Sequence, residues 1–286
     1  MKIIEKLFKD SFTLIRYNMI LIQPLLIFFL VTGLLIKVVG ETYTFESSIV
    51  ATLGVGLLWT VFNAGWYNMI FECVKIPFDV DLPKADQAVT SLKLFKEFFP
   101  GVAMFFVPML LGSIIYLVII SAIIAIAYYY GINYIGIPKD LVWDEVLKAG
   151  QSNSTMMAYI SKLPETTINQ IALWELLIMF VMFINFILNF IIMFWGQCVV
   201  AYQMNPVNAY KQSMIMVIKH PILTLTINIS YSLALFSSFF LSVIPFELFK
   251  FIGLFLYIFV MVYFTLMIFV YIEKQNNSII RPDSNG

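Results

Sequence analysis

The sequence predicts an all-α fold: a polytopic membrane helix bundle of six transmembrane helices, with interfacial amphipathic helices on the cytoplasmic side. Of the 286 residues, 61% are hydrophobic and 12% are charged, whereas soluble domains carry about 25% charged residues. The apolar residues are collected into six stretches that each reach the length of a spanning helix, about 20 residues. The stretches are residues 18–38, 48–73, 102–129, 173–203, 222–245 and 250–272.

The distribution of positive charge predicts the orientation, because lysine and arginine prefer cytoplasmic loops. With the N-terminus inside, twelve of the seventeen Lys and Arg residues lie on the cytoplasmic side and five lie outside. Both termini are therefore expected in the cytoplasm. Trp174 fits an anchor at the outer interface and Trp195 one at the inner interface. We expect one transmembrane domain over residues 1–273 and a polar, disordered cytoplasmic tail over 274–286.

Three short amphipathic segments precede the first, third and fifth apolar stretches, at residues 3–15, 85–99 and 207–217. Their apolar residues recur at three- and four-residue steps, which is the periodicity of a helix with one apolar face. Helices of this kind lie in the plane of the membrane interface.

A short run of serine, apolar residues and a basic residue recurs in the three segments, as Ser11 to Arg16, Ser91 to Lys96 and Ser213 to Lys219. One interpretation is a threefold repeat of an interfacial helix plus a helix pair. The alternative is that basic amphipathic helices at a membrane edge look alike without any repeat. The repeat units would be residues 1–74, 85–203 and 205–273.

Six polar residues inside the apolar stretches form a candidate intramembrane polar site. Such groups are costly in lipid and often functional. They can line a cavity for a solute, or they can hold helices together through interhelical hydrogen bonds. An acid at the cytoplasmic end of the second stretch can instead pair with a lysine or reach headgroup water. The six residues are Asn63, Asn68, Glu72, Asn185, Asn189 and Asn228.

The sequence contains no catalytic, nucleotide-binding or metal-ligand motif, and no cofactor is expected. His220 is the single histidine, and it lacks the neighbouring Cys, Asp or Glu that a metal site needs. Cys73 and Cys198 are expected to be free, buried thiols. A net charge of zero gives no general attraction for nucleic acid. Membrane lipids are the expected partners, with a membrane protein as a second candidate.

The outer loop over residues 131–171 is long enough to be functional. It can cover the bundle or bind a partner outside. Proline and glycine punctuation predicts a short helix over 138–150. A second short helix is expected over 154–163.

Two runs before spans, Phe8-Lys9-Asp10-Ser11-Phe12 and Asn205 through Ser213, resemble segments of poorly characterised prokaryotic six-span families. One such family is the membrane domain fused to some glycerophosphodiester phosphodiesterases. The segment from Gly65-Trp66-Tyr67 to Leu82-Pro83-Lys84 resembles another. The resemblance implies an integral protein of the prokaryotic cell (inner) membrane without assigned chemistry, and it supplies no site residues.

Three classes of function fit these observations. The favoured one is a non-enzymatic membrane protein that acts as a scaffold or accessory in envelope or lipid processes. The alternative is a transporter or permease for a small or amphipathic solute, with a polar site between helices. An intramembrane enzyme is least favoured, because histidine and paired acids are almost absent from the apolar stretches.

Overall fold

The computed structural model of the chain describes residues 2–40, 45–75, 89, 92–138, 141, 146 and 153–280. Within these ranges helix is the only regular secondary structure, which confirms the all-α prediction. A 3-10 turn, Met19–Ile22, joins α1 to α2, and a π-helix, Gly131–Ile135, follows α4. The α-helices are α1 (Lys2–Tyr17), α2 (Gln23–Gly40), α3 (Phe45–Lys75), α4 (Phe98–Tyr130), α5 (Asn153–Ile160), α6 (Glu165–Ile191), α7 (Trp195–Tyr202), α8 (Pro206–Lys219), α9 (Pro221–Val243) and α10 (Glu247–Ile280).

Five helical segments of the described chain are long and apolar enough to cross a membrane, and they coincide with five of the six predicted stretches. The remaining stretch, 48–73, lies in α3, a helix of 31 residues that is not among these five segments. The count of six crossings therefore stays a prediction. The five segments are Met19–Val38, Phe98–Ile135, Glu165–Tyr202, Pro221–Val243 and Glu247–Gln275.

The chain forms two compact units, where the sequence predicts one transmembrane domain. The first unit comprises residues 1–113 and 192–286, and the second comprises residues 114–191. Helix α10 is the centre of the first unit, where it packs against α1, α3, α7 and α9. Its middle is apolar on every side, as expected of a helix that other helices surround.

Helix α1 confirms the first predicted amphipathic segment and extends it to Lys2–Tyr17. Leu7, Ser11 and Ile15 follow one another at four-residue steps, and all three are buried. Polar contacts join α1 to α10. The Tyr263 hydroxyl donates to the Phe8 carbonyl at 3.0 Å, and Lys274 Nζ lies 2.6 Å from an oxygen of Asp10.

Helix α8 confirms the third predicted amphipathic segment. Asn205 caps its N-terminus, because the side-chain oxygen accepts from the backbone N–H of Asn208 at 2.9 Å. Ala209, Ser213 and Val217 form the buried stripe, with the same four-residue steps and the same central serine as in α1. This likeness fits the proposed repeat, although the repeat itself stays a prediction.

The fourth apolar stretch, 173–203, is not one continuous helix as predicted. The helix ends at Ile191 and α7 begins at Trp195. Phe194 leaves the helical conformation at φ −99° and ψ 1°, and its backbone N–H donates to Ser213 Oγ at 3.1 Å. A buried backbone donor needs a partner, so Ser213 of α8 makes this break possible.

The chain end also differs from the prediction. Helix α10 continues to Ile280, so residues 274–280 are helical, where a disordered tail was expected from residue 274. Two contacts stabilise the helix where it passes residue 274. Lys274 pairs with Asp10, and the Gln275 amide donates to the Tyr271 hydroxyl at 2.8 Å. Residues 281–286 lie outside the described residues.

The remaining predicted helices are described only in part. In the segment 85–99, residues 92–96 are helical. Helix α5 confirms the short helix expected within 154–163. The helix predicted over 138–150 lies almost entirely outside the described residues.

Candidate functional site

The six candidate polar residues occupy five different environments. Asn185 and Asn189 lie in the second unit, whereas the other four lie in the first. Each environment gives its polar groups a different set of partners, and these partners decide which residues are available for chemistry.

Asn68 is a structural tie between α3 and the backbone that leads into α4. Its side-chain amide donates to the Glu97 carbonyl at 2.9 Å, and the residue is only 7% exposed. Gly101 allows this close approach, because a Cβ there would stand 2.4 Å from Asn68 Cβ and 2.9 Å from the Ala64 carbonyl oxygen. The interaction fits the interhelical alternative offered by the sequence.

Glu72 forms an ion pair with Lys75 one turn later, at 2.6 Å, near the end of α3. Lys75 also places its ammonium group 4.0 Å from the centre of the Phe71 ring. Both charged side chains are partly exposed. This is the pairing with lysine that the sequence allows for an acid at this position.

Asn185, Asn189 and Tyr116 form a closed hydrogen-bonded group in the second unit. The Tyr116 hydroxyl donates to Asn185 Oδ1 at 2.6 Å, and Asn189 Nδ2 donates to the Tyr116 oxygen at 2.7 Å. The Asn189 amide also lies 2.9 Å from the Asn185 carbonyl. These hydrogen bonds cross-link α4 and α6, which fits the interhelical alternative that the sequence offers.

Asn228 of α9 is half-buried, and its amide lies 4.0 Å from the sulfur of Met193. Sulfur in a thioether is a weak acceptor. Asn228 therefore has a much weaker partner than Asn68, Asn185 or Asn189.

Asn63 of α3 borders a cavity of about 150 Å³ in the first unit. Its side-chain oxygen is buried and has no hydrogen-bond partner within the described part of the chain. Leaving such a group unpaired costs about 1–3 kcal/mol. The lining is polar and aromatic, and it contains no charged side chain. The residues that line this cavity, which we call the Asn63 cavity, are Trp59, Thr60, Asn63, Tyr67, Met109, Ser113, Met193, Trp195, Gly196 and Gln197.

The indole of Trp195 forms part of the wall and is held on two sides. Its ring centre lies 5.1 Å from that of Tyr210, whose hydroxyl donates to the Gly112 carbonyl at 2.7 Å. Gly112 makes room for the ring, because a Cβ there would stand 2.3 Å from Trp195 Cζ3. Trp195, which the sequence predicts as an interface anchor, therefore belongs to the cavity wall.

Sequence reasoning found Asn63 but missed the residues around it. Trp59 and Tyr67 lie one turn before and after Asn63, and their four-residue steps were the available signal. Gln197 and Trp195 come from a helix about 130 residues further along the chain, and no local pattern connects them with α3.

The residues with reactive side chains are not gathered at this cavity. Cys73 and Cys198 are buried free thiols, as predicted. His220 lies at the junction of α8 and α9, with its ring 6.2 Å from that of Tyr271. Among the described residues, no three His, Cys, Asp or Glu side chains group closely enough to hold a metal ion.

A second cavity, of about 390 Å³, lies in the second unit. Its lining is mostly apolar. Trp174 is fixed there by a hydrogen bond from its indole to the Gly136 carbonyl at 2.9 Å. The lining residues are Tyr128, Ile132, Ile137, Pro138, Leu141, Ile171, Trp174, Glu175 and Ile178.

Comparisons with protein-family models, with curated proteins and with solved structures find no match to this chain. The function is therefore argued from the geometry of these groups.

Proposed function

We propose that the chain is a non-enzymatic, six-crossing integral protein of a prokaryotic cell membrane, with both termini in the cytoplasm, that acts as a scaffold or accessory in envelope or lipid processes. The observation that carries the proposal is the surface of α6. In its spanning segment, Glu165–Tyr202, none of the most apolar 18 residues is buried. A helix so little covered by its own chain offers its side chains to lipid or to a second membrane protein.

The composition of that surface supports a role in recognition. Phenylalanine and methionine are prominent among its exposed side chains. Methionine is flexible and polarizable, so it adapts to different partners. The two asparagines in the second half of α6, Asn185 and Asn189, hydrogen-bond to Tyr116. The exposed side chains include Leu176, Met179, Phe180, Met182, Phe183 and Phe186.

The sixth crossing is supported by the way α3 packs against α2. The Trp66 indole donates to the Leu21 carbonyl at 3.0 Å, and the rings of Phe28 and Phe62 are 4.8 Å apart. Later residues of α2 thus meet earlier residues of α3, so the two helices run antiparallel. If α2 crosses the membrane, α3 returns across it.

The polar residues in the middle of α3 are compatible with that crossing. Thr60, Asn63 and Asn68 are all buried, so the polar side chains face other helices instead of lipid. Polar residues in a spanning helix usually face the bundle interior.

Topology can be tested with single cysteines in a variant that lacks Cys73 and Cys198. Lys93 and Ser161 are both exposed, and we expect Lys93→Cys to be labelled only from the cytoplasm and Ser161→Cys only from outside. Labelling of both from one side would overturn the proposed arrangement.

The scaffold role can be tested by placing a photo-crosslinking amino acid at Phe183 of α6 or at Phe239 of α9. Both side chains are about equally exposed, at 59% and 60%. We expect Phe183 to give a discrete protein adduct that disappears when Met179 and Met182 are changed to Leu, and Phe239 to give lipid adducts alone. Lipid adducts alone from both positions would contradict the proposal.

A second candidate function, transport of a small or amphipathic solute, is favoured by the Asn63 cavity. Asn63 lies near the middle of the predicted stretch 48–73, where substrate sites of transporters are found. Flux of candidate solutes into sealed vesicles, compared between the wild type and Asn63→Leu, distinguishes this function from the scaffold role. A scaffold gives no flux with either protein.

A further inference from the structure

We propose that the Asn63 cavity is a binding site for a small uncharged amphipathic molecule, with a ring-sized apolar body and one O–H or N–H donor. Four properties support it: the size of the cavity, its aromatic walls, its uncharged lining and the side-chain oxygen of Asn63, which has no partner among the described residues. It does not depend on the scaffold role or on transport.

The volume limits the part of the ligand that the cavity can hold. An engineered apolar cavity of about 150 Å³ holds one benzene molecule, and the Asn63 cavity has about the same volume, 150 Å³. The part of the ligand inside the cavity therefore has about six or seven non-hydrogen atoms. A phospholipid headgroup with its acyl chains is too large to enter whole.

The walls favour a flat apolar body. Trp59, Tyr67 and Trp195 contribute three aromatic rings to the lining. Aromatic rings prefer offset-stacked or edge-to-face contact with other rings. Trp195 is fixed by Gly112 and Tyr210, so the wall it forms is preorganised.

Asn63 supplies the specific polar contact. The residue is 9% exposed, and its Oδ1 is enclosed without a partner among the described residues. The terminal torsion of an asparagine is broad and roughly two-fold, so a half turn exchanges the positions of the oxygen and the amide nitrogen. Within the described part of the chain, the Asn63 side chain makes no hydrogen bond that this turn would break. The turn moves the amide nitrogen into the enclosed place and presents the oxygen to a donor in the cavity.

The absence of charge in the lining selects against ions. No Asp, Glu, Lys, Arg or His is among the residues that line the cavity. An ion would lose its hydration without gaining a partner of opposite charge, which is strongly unfavourable. A neutral donor loses much less and gains the Asn63 acceptor.

Phenol and fluorobenzene are suitable probes, because they have the same ring and differ only in the donor. Binding to the full-length protein in lipid nanodiscs can be measured by saturation-transfer NMR, with empty nanodiscs as the blank. We expect saturable binding of phenol that is about tenfold tighter than that of fluorobenzene, since one hydrogen bond to a buried acceptor is at stake.

Asn63→Leu keeps the approximate shape of the side chain and removes the acceptor. We expect it to bind phenol and fluorobenzene equally, at about the wild-type affinity for fluorobenzene. Asn228→Leu is the matched control, because Asn228 is also a polar residue of the first unit but does not line the cavity; it should keep the preference for phenol. Ser113→Leu fills part of the space and should weaken both probes.

Two results would overturn the proposal. One is wild-type protein that binds phenol no better than fluorobenzene, which requires no variant to fold. The other is Asn63→Leu protein that retains the preference. These measurements report binding alone. They can therefore refute the binding site while the cross-linking and flux results still support a scaffold or a transporter.

Discussion

Helices α10 and α6 have nearly the same apolar character but opposite surroundings. The most apolar 18 residues of their spanning segments have mean hydropathies of 2.5 and 2.7, yet 56% of these residues are buried in the first segment and none in the second. Hydropathy reports whether a helix can lie in lipid. It does not report whether neighbouring helices or lipid will surround it.

The difference lies in the partners that each helix meets. Helix α10 packs against α1, α3, α7 and α9, and its aromatic rings meet rings of α1 and α3. Within its own unit, α6 packs mainly against the π-helix and is tied to α4 through Tyr116. Stability should therefore depend strongly on α10 and weakly on the exposed residues of α6.

The largest expected effect comes from truncating one aromatic residue in each helix. Phe269 of α10 is fully buried, with its ring 5.6 Å from Phe71 and 5.8 Å from Tyr67. Phe269→Ala should lower the free energy of unfolding by about 3–5 kcal/mol, because it leaves a cavity in a packed core. Phe183→Ala on α6, at a 59% exposed position, should change it by about 0.5 kcal/mol or less.

Both variants can be measured by reversible unfolding in lipid bicelles under the same conditions. Equal losses would mean that α6 is buried by a partner, such as a second copy of the chain, under those conditions. The comparison between the helices would then fail.

The next largest effect tests close packing in the first unit. A Cβ at Gly101 would clash with Asn68, whereas a Cβ at Gly54 would meet no atom within 4 Å. Gly101→Ala should destabilise the protein by about 1–3 kcal/mol through overpacking. Gly54→Ala should be neutral or stabilising, since alanine is the better helix former by up to about 1 kcal/mol. Thermal unfolding of the purified variants measures both, and a neutral Gly101→Ala would contradict the contact.

The sequence predicts the helices well because their signals are local. Runs of apolar residues mark the long helices, and Asn205-Pro206 marks the beginning of α8. The break at Phe194 was missed because its backbone N–H is satisfied by Ser213, a residue of a different helix. The continuation of α10 beyond residue 273 was missed for a similar reason, since Lys274 finds its partner in α1.

In the candidate site, too, the partners of several residues lie far along the chain and cannot be predicted from the local sequence. A polar residue in an apolar stretch is visible in the sequence, and all six candidates, five asparagines and Glu72, were found in this way. Whether each amide has a partner depends on residues far along the chain: Glu97 for Asn68 and Tyr116 for Asn189. Asn63 lacks such a partner among the described residues, and its neighbours across the cavity come from α7.

This contrast gives a third prediction, on two asparagines of one helix. Asn68→Leu should lower the free energy of unfolding by about 0.5–1.5 kcal/mol, because it removes the partly buried hydrogen bond to the Glu97 carbonyl, which keeps its bond from the Gly101 N–H. Asn63→Leu should be neutral or slightly stabilising, because it removes an unpaired polar atom. The two positions are similarly buried, so each variant controls for the other. Chemical unfolding in a single detergent is sufficient, and equal losses would show that Asn63 has a partner.

The smallest expected effect separates two ion pairs with the same distance of 2.6 Å. Lys75 pairs with Glu72 within one helix, whereas Lys274 pairs with Asp10 and connects α10 with α1. Exposed pairs of the first kind contribute about 0.3–0.5 kcal/mol, so Glu72→Ala, which leaves the contact of Lys75 with the Phe71 ring in place, should be barely measurable. Lys274→Ala should cost up to about 1 kcal/mol, and 1 M salt should remove much of that cost by screening.

The measurement for this last pair is the thermal midpoint at low and at high salt. A salt-insensitive loss for Lys274→Ala would assign its contribution to packing of the long side chain against neighbouring residues. A salt-sensitive loss would show that the last turns of α10 are held to α1 by charge. In that case the far end of α10 is attached more weakly than its middle, where Phe269 and its aromatic neighbours pack without any charge.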